Sequence, residues 1–362
     1  RIILLSLFIV PICGVGAAIS PHPLTFAICE ILIAALLGGT VSSAIVLLAE
    51  ELPAERRARG QAFAAFASAV GGVLGYIFIP FLLDGGYSWR WLLAPCAAGI
   101  LLIWPIARLL PETRWAQSAS TGVVSRTHFY DILHPLYRRR SLTLLGTAAL
   151  DTIAGTAVNG WLYFFAVSII GLSPTRASTL VVAGMVVGML GFPIGAWTSE
   201  HIGRVPTVAY VGAAAWVGAI AFYWGPPGKF GLPMVWLLVA YCWFKIASGV
   251  MTVGANSAAT ELLPSALRST MIGWQMITGA VFSVLAQSLI AALIVKLGGL
   301  AHVVRYFAFL GFGSAALFGL FIDETRGLPL DVAAKEAEWA KIRQSDAEKR
   351  KSDEPARKSK PR

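Results

Sequence analysis

The chain has 362 residues, 57% of them hydrophobic and 13% charged, with a mean hydropathy of +0.70 and a net charge of +10. A water-soluble domain carries about 25% charged residues, so this composition excludes one. The positive charge does not point to nucleic acid, because the basic residues cluster between apolar runs, where membrane proteins place them.

In chain order, apolar runs near the roughly 20 residues that cross a bilayer as helix occupy 2–19, 24–48, 61–83, 91–110, 142–165, 177–199, 206–225, 233–258, 271–295 and 302–322. They are continuous and do not alternate, which predicts helices and not barrel strands. With Arg1 on the cytoplasmic side, ten arginines, among them Arg56, Arg57, Arg138, Arg140 and Arg204, fall on one face together with the basic tail. The other face holds Arg90, Arg176, Lys229, Lys296 and Arg305. The positive-inside rule then places both termini in the cytoplasm of a multi-pass protein of the cell membrane. Cys13, Cys29, Cys96 and Cys242 lie singly in apolar runs, without metal or redox spacing, and are expected to be packing residues. The chain enters its first apolar run directly at Arg1, without Met or a polar leader, so a segment upstream is expected.

Two phrases recur. E-x-x-P-x-x-x-R occurs at Glu50–Arg57 and again, 211 residues on, at Glu261–Arg268; Glu112-Thr113-Arg114 recurs 212 residues on as Glu324-Thr325-Arg326. Two landmarks at one spacing imply a duplicated unit with the same orientation in the membrane, the parallel-repeat arrangement of one transporter class. The expected organisation is an N-terminal bundle over 1–114, a polar linker over 115–140, a six-helix bundle over 141–326 and a charged tail over 327–362. Within the linker, Phe129 to Tyr137 are expected at the interface. The tail is expected to open with an amphipathic helix sharing Val332, Trp339 and Ile342 on one face and then to lose order.

On these residues the chain resembles the major facilitator superfamily, in its sugar- and metabolite-porter branches, over nearly its whole length. The E-x-x-P-x-x-x-R sites resemble those after the fourth and tenth family helices. The P-E-T-x-G phrase resembles Pro111–Arg114 and Glu324–Gly327, and the G-x-x-x-D-x-x-G-R loop resembles Ala196–Arg204, with Ala196 for the first Gly and Glu200 for the Asp. The resemblance implies an all-α integral membrane fold of two parallel-repeat helix bundles, with about ten of the twelve family helices in this sequence and the first two absent from it.

Ionisable side chains at a bilayer centre are costly and are functional candidates by default. Glu30, Asp151 and Lys245 qualify, and by the resemblance they fall on cavity-lining helices four, seven and ten. The two carboxylates are candidates for proton exchange, and Lys245 for a counter-ion or an anchor for an anionic substrate; an internal ion pair fixing helix packing is the plainer alternative. Glu30 stands where the resembling porters usually carry Arg. Asn159, Trp161, Tyr163, Trp243 and Gln275 offer hydrogen bonds or aromatic faces, and serve equally well at helix interfaces. Glu50, Arg57, Glu200, Arg204, Glu261 and Arg268 are expected to pair as a cytoplasmic gate. Gly71-x-x-x-Gly75 and Gly184-x-x-x-Gly188 are close-packing signals on helices that face each other across the family's two halves.

Zincin, nucleophile-elbow, phosphate-loop and dinucleotide motifs do not occur, so an enzyme, a cofactor or a metal is not expected. The function expected is secondary transport of a small solute, a sugar or organic acid, by proton symport in a monomer. The alternatives are a proton-coupled exporter, disfavoured because the Gly-Pro phrase of drug antiporters is missing from 61–83, and a non-transporting sensor or scaffold.

Overall fold

The computed structural model describes residues 2–53, 56–84, 88–109, 128–224, 234–342 and 345. These residues are helical throughout, without strands. The spans are α1 (Ile2–Ile19), α2 (Pro23–Glu51), α3 (Arg57–Asp84) and α4, a 3-10 stretch Trp89–Leu102 that continues as Ile103–Leu109. They go on with α5 (Arg138–Gly160 and Leu162–Ser168), α6 (Pro174–Gly188 and Gly191–His201) and α7 (Arg204–Pro206, a π turn Thr207–Val211, and Gly212–Trp224). The last are α8 (Met234–Glu261), α9 (Ser265–Lys296) and α10 (Leu300–Ala308 and Leu310–Phe321).

Among the described residues, seven helices are long and apolar enough to cross a membrane, and Ile3–Ile19 and Pro95–Arg108 are shorter apolar helices. The helices overrun the apolar runs because polar caps can hold turns that need no lipid. Ser173 accepts the Arg176 N–H ahead of Pro174, and His22 accepts the Leu24 N–H ahead of Pro23. In α4 the structure departs from a plain α-helix. Ser88 caps a fourteen-residue 3-10 stretch, whose steeper rise stretches it to about 28 Å. Large apolar side chains such as Phe8, Leu24, Phe63, Leu101, Val284 and Leu320 point outward, as lipid-facing residues do.

Close approach of backbones shapes both halves. In α1, a Cβ on Gly14 would come within 2.8 Å of Cys96 Cβ, and one on Gly16 within 3.3 Å of Cys29 Sγ, so these cysteines pack as expected and are unbridged. The glycines of α6 correct the sequence expectation. Gly184 and Gly188 lie against Tyr241 and Lys245 of α8 in the same half, and Gly191 and Gly195 extend the row against Ile246 and Val250. Gly71 and Gly75 have nothing within 4 Å. Helices α3 and α6 do meet across the halves, but through Ala58, Ala62, Phe192 and Ala196, and a Cβ on Gly72 would stand 3.6 Å from Met185 Cε.

Residues 110–127, with most of the expected linker and Glu112-Thr113-Arg114, lie outside the described residues. The stretch from 128 is not a loose polar connection. Ile132 and Tyr137 are fully buried, Trp274 Nε1 donates to Phe129 O, and α5 already begins at Arg138. Tyr137 donates to Ala334 O and meets the edge of Trp339. Burial pushes its phenol well above the ordinary tyrosine range, so it remains a donor. The expected amphipathic tail helix is broken. Leu330–Ala333 forms one turn, Lys335 takes a positive φ of 52°, and helix resumes at 336–342. Val332 therefore faces out at 57% exposure while Trp339 is buried at 6%.

Candidate functional site

Two helices that run antiparallel supply facing polar stripes. On α5, Thr147, Asp151, Gly155 and Asn159 recur every fourth residue; on α8, Ser248, Thr252 and Asn256 do the same. A four-residue repeat keeps side chains on one helix face. Together with Gln275 of α9 they line a slot of about 350 Å³, walled by Trp216, Phe244 and Phe318.

Asp151 lines the middle of this slot, half-buried, with no hydrogen bond or ion pair among the described residues. At one end, Lys245 Nζ donates to Asn159 Oδ1 at 3.4 Å, and Asn159 Nδ2 donates to Gly155 O at 3.3 Å. Among the described residues Lys245 has no carboxylate within 4.0 Å. Gln275 also lines a smaller cavity, about 170 Å³, shared with Ile45 of α2, so it stands where the two halves meet.

The structure thus brings Asp151, Asn159, Lys245 and Gln275 together and leaves Glu30 elsewhere, half-buried in α2 and outside the slot lining. Of the two roles open to the three aromatics, the structure shows helix contacts for two. Trp161 Nε1 donates to Gln287 Oε1 and Trp243 Nε1 to Ala214 O, both as ties between helices, and Tyr163 is 45% exposed. None of them lines the slot. Sequence reasoning missed Ser248, Thr252 and Asn256. Their four-residue spacing, starting one turn from Lys245, was the available signal.

A second cluster lies at the end where the E-x-x-P-x-x-x-R sites sit. Arg57 Nη1 stands 3.8 Å from Glu261 Oε1 and Arg59 Nε 2.9 Å from Glu200 Oε2, so both pairs join the two halves. Arg204 reaches the same Glu261 at 3.1 Å and Thr325 donates to its other oxygen, while Arg204 Nη1 donates to Ser199 O. Arg57, Arg204, Glu261 and Arg268 are all buried. Arg268 Nε donates to the nearby Leu263 O and is not shown to cross between halves. The Glu50 side chain lies outside the described residues.

Glu324 caps the start of α7, accepting the Arg204 and Val205 N–H groups at 2.9 Å each. A carboxylate there meets unpaired donors and the positive end of the helix. Gly203 turns with φ 127°, and a Cβ on it would stand 2.6 Å from Glu324 Oε2. Arg59, Glu324 and Thr325 were not expected in this cluster, although the repeated Glu-Thr-Arg phrase had already marked two of them.

Against known proteins, the Major Facilitator Superfamily model matches residues 1–287. A probable 4-methylmuconolactone transporter of Cupriavidus pinatubonensis is 22% identical over 306 residues, covering 81% of this chain and 68% of that protein. The cis,cis-muconate transport protein of Acinetobacter baylyi is 24% identical over 304 residues, covering 81% and 71%. Among solved structures, the proton:xylose symporter XylE superposes with a TM-score of 0.72 at 18% identity, covering 93% of this chain and 82% of that one. The human organic anion transporter MFSD10 superposes with 0.70 at 17% identity, covering 87% and 76%. The structures speak for the fold alone. With the duplicated landmarks, the two bundles and a family match over most of its length, the chain belongs to the Major Facilitator Superfamily.

Proposed function

We propose that this protein is a secondary transporter that carries a small organic solute, a sugar or organic acid, into the cell by proton symport. The observation that carries this reading is Asp151, a carboxylate at membrane depth that faces a polar slot without a partner among the described residues. A structural charge in such a place would be paired, because an unpaired one is costly. A group that alternately binds and releases a proton needs the slot open to it instead. Proton binding neutralises Asp151, and the neutral, loaded slot can then be closed off from water at lower cost.

The buried cluster at the other end supports alternating access. Arg57–Glu261 and Arg59–Glu200 span the halves and would hold the cytoplasmic mouth shut, breaking as one bundle rocks against the other. Both termini then lie in the cytoplasm of a monomer in the cell membrane. The names of the relatives, transporters of small organic compounds, agree with this class of cargo.

Asp151→Asn tests the reading in proteoliposomes. Solute accumulation driven by an inward proton gradient should vanish while solute exchange without a gradient persists. Accumulation at the unmutated level would overturn it.

A further inference from the structure

We infer that the slot takes a small carboxylic acid as its monoanion, docked at Lys245 and Asn159, and that one proton on Asp151 accompanies it. The inference rests on the transport reading above and narrows its cargo.

The first ground is the separation of the charges. Asp151 lines the slot and Lys245 touches it through Asn159; they have opposite signs, yet among the described residues they are not paired. Asn159, which Lys245 touches, lies eight residues beyond Asp151 on α5, about 12 Å along the helix. Lys245 makes one long contact to a neutral amide, so an ammonium with three donors has most of its capacity left for an incoming group. An anion is the partner a desolvated ammonium lacks. The base of its side chain is held in place, because α6 passes so close that a Cβ on Gly188 would stand 2.8 Å from Lys245 Cβ.

The second ground is a charge count. Asp151 is the one ionisable side chain lining the slot among the described residues, and Lys245 is the charged group that reaches it through Asn159. From α9 the slot receives the neutral Gln275, from α7 Trp216, and from α10 Phe318. Empty, with Asp151 ionised and Lys245 protonated, the slot is neutral. Loaded with a monoanion and one proton it is neutral again. A neutral sugar with one proton would leave it positive, and an anion without the proton would leave it negative. Net charge in a low-dielectric enclosure is what closure must avoid, so the monoanion and the proton each make the other's passage feasible.

The third ground is the wall. The slot is lined by Ser248, Thr252 and Asn256 of α8, with Phe244 one turn before them on the same face, and by Trp216 of α7, in about 350 Å³. That volume is at the small end of ligand sites and suits a short acid.

Isothermal titration calorimetry on the full chain in detergent tests this with sorbate and benzoate as monocarboxylates, cis,cis-muconate as a dicarboxylate and xylose as a neutral sugar. Monocarboxylates should bind with uptake of about one proton, read from buffers of different ionisation enthalpy, and Asp151→Asn should bind them without that uptake. Lys245→Met should weaken monocarboxylate binding about tenfold or more, while Lys245→Arg retains it; an unchanged thermal unfolding midpoint in detergent reports that the fold is intact in each. Xylose binding that Lys245→Met leaves unchanged, with no monocarboxylate binding, would overturn the anion inference and leave proton symport standing. Monocarboxylate binding indifferent to Lys245→Met would also overturn it. If gradient-driven accumulation fails with every solute, the transport reading falls instead.

Discussion

The protein uses buried charge in two opposite ways. At the E-x-x-P-x-x-x-R end, Glu261 is met by Arg57, Arg204 and Thr325, and Glu324 by backbone donors, so nearly every charge has its complement in the fold. At the slot, Asp151 lines the cavity, Lys245 touches its lining residue Asn159, and the two charges are held apart. Glu261 and its arginines are buried and the slot charges half-buried, and the partnering differs. Paired charges at a contact between halves fix one arrangement of the bundles; on the transport reading, a proton and a solute meet the others. Residue type alone does not distinguish the two uses, since each involves carboxylates and bases within apolar helices.

The comparison can be broken most severely at Glu261. Glu261→Gln leaves Arg204 and Arg57 without their common counter-charge, and loss of one partner of a buried pair costs about 3–5 kcal/mol, which a fall in the thermal unfolding midpoint in detergent would register. Asp151→Asn, by contrast, should leave that midpoint unchanged or raise it, since it removes a half-buried charge without a partner among the described residues. A smaller effect is expected of Glu324→Gln. The cap over Arg204 and Val205 keeps a neutral acceptor and loses its charge, a change of about 1 kcal/mol measurable on the same scale. Smallest is Arg59→Ala. Arg59 is 63% exposed in its pair with Glu200, so stability should move by no more than about 1 kcal/mol, yet the link between halves is lost. Cysteine labelling in the slot from the cytoplasmic side should then become faster. An unchanged labelling rate would remove that pair from the gate.

Much of the fold was legible because membrane insertion leaves a coarse and local mark. A stretch such as Ile2–Ile19 is apolar over the length a bilayer demands, and no tertiary contact is needed to read it. The repeated phrases were equally plain, being copies in one chain. The candidate site was half legible. Charge at membrane depth singled out Asp151, which lines the slot, Lys245, which touches it through Asn159, and by the same rule Glu30, which stands apart from it. The aromatic residues left two roles open, because an indole that ties Trp161 to Gln287 looks in sequence like one that lines a cavity.

By itself, then, the sequence determined the number and place of the apolar helices, the duplication, and the kinds of charge available to them, since each follows from composition over a few turns. Only the tertiary structure decided which face of each helix turns inward. Whether Gly188 meets α3 or the base of Lys245, whether Tyr137 lies loose or beneath Trp339, and whether Glu261 stands alone or among arginines all depend on helices distant in the chain. Those contacts follow from how the helices share one interior, and a single helix carries no record of its neighbours.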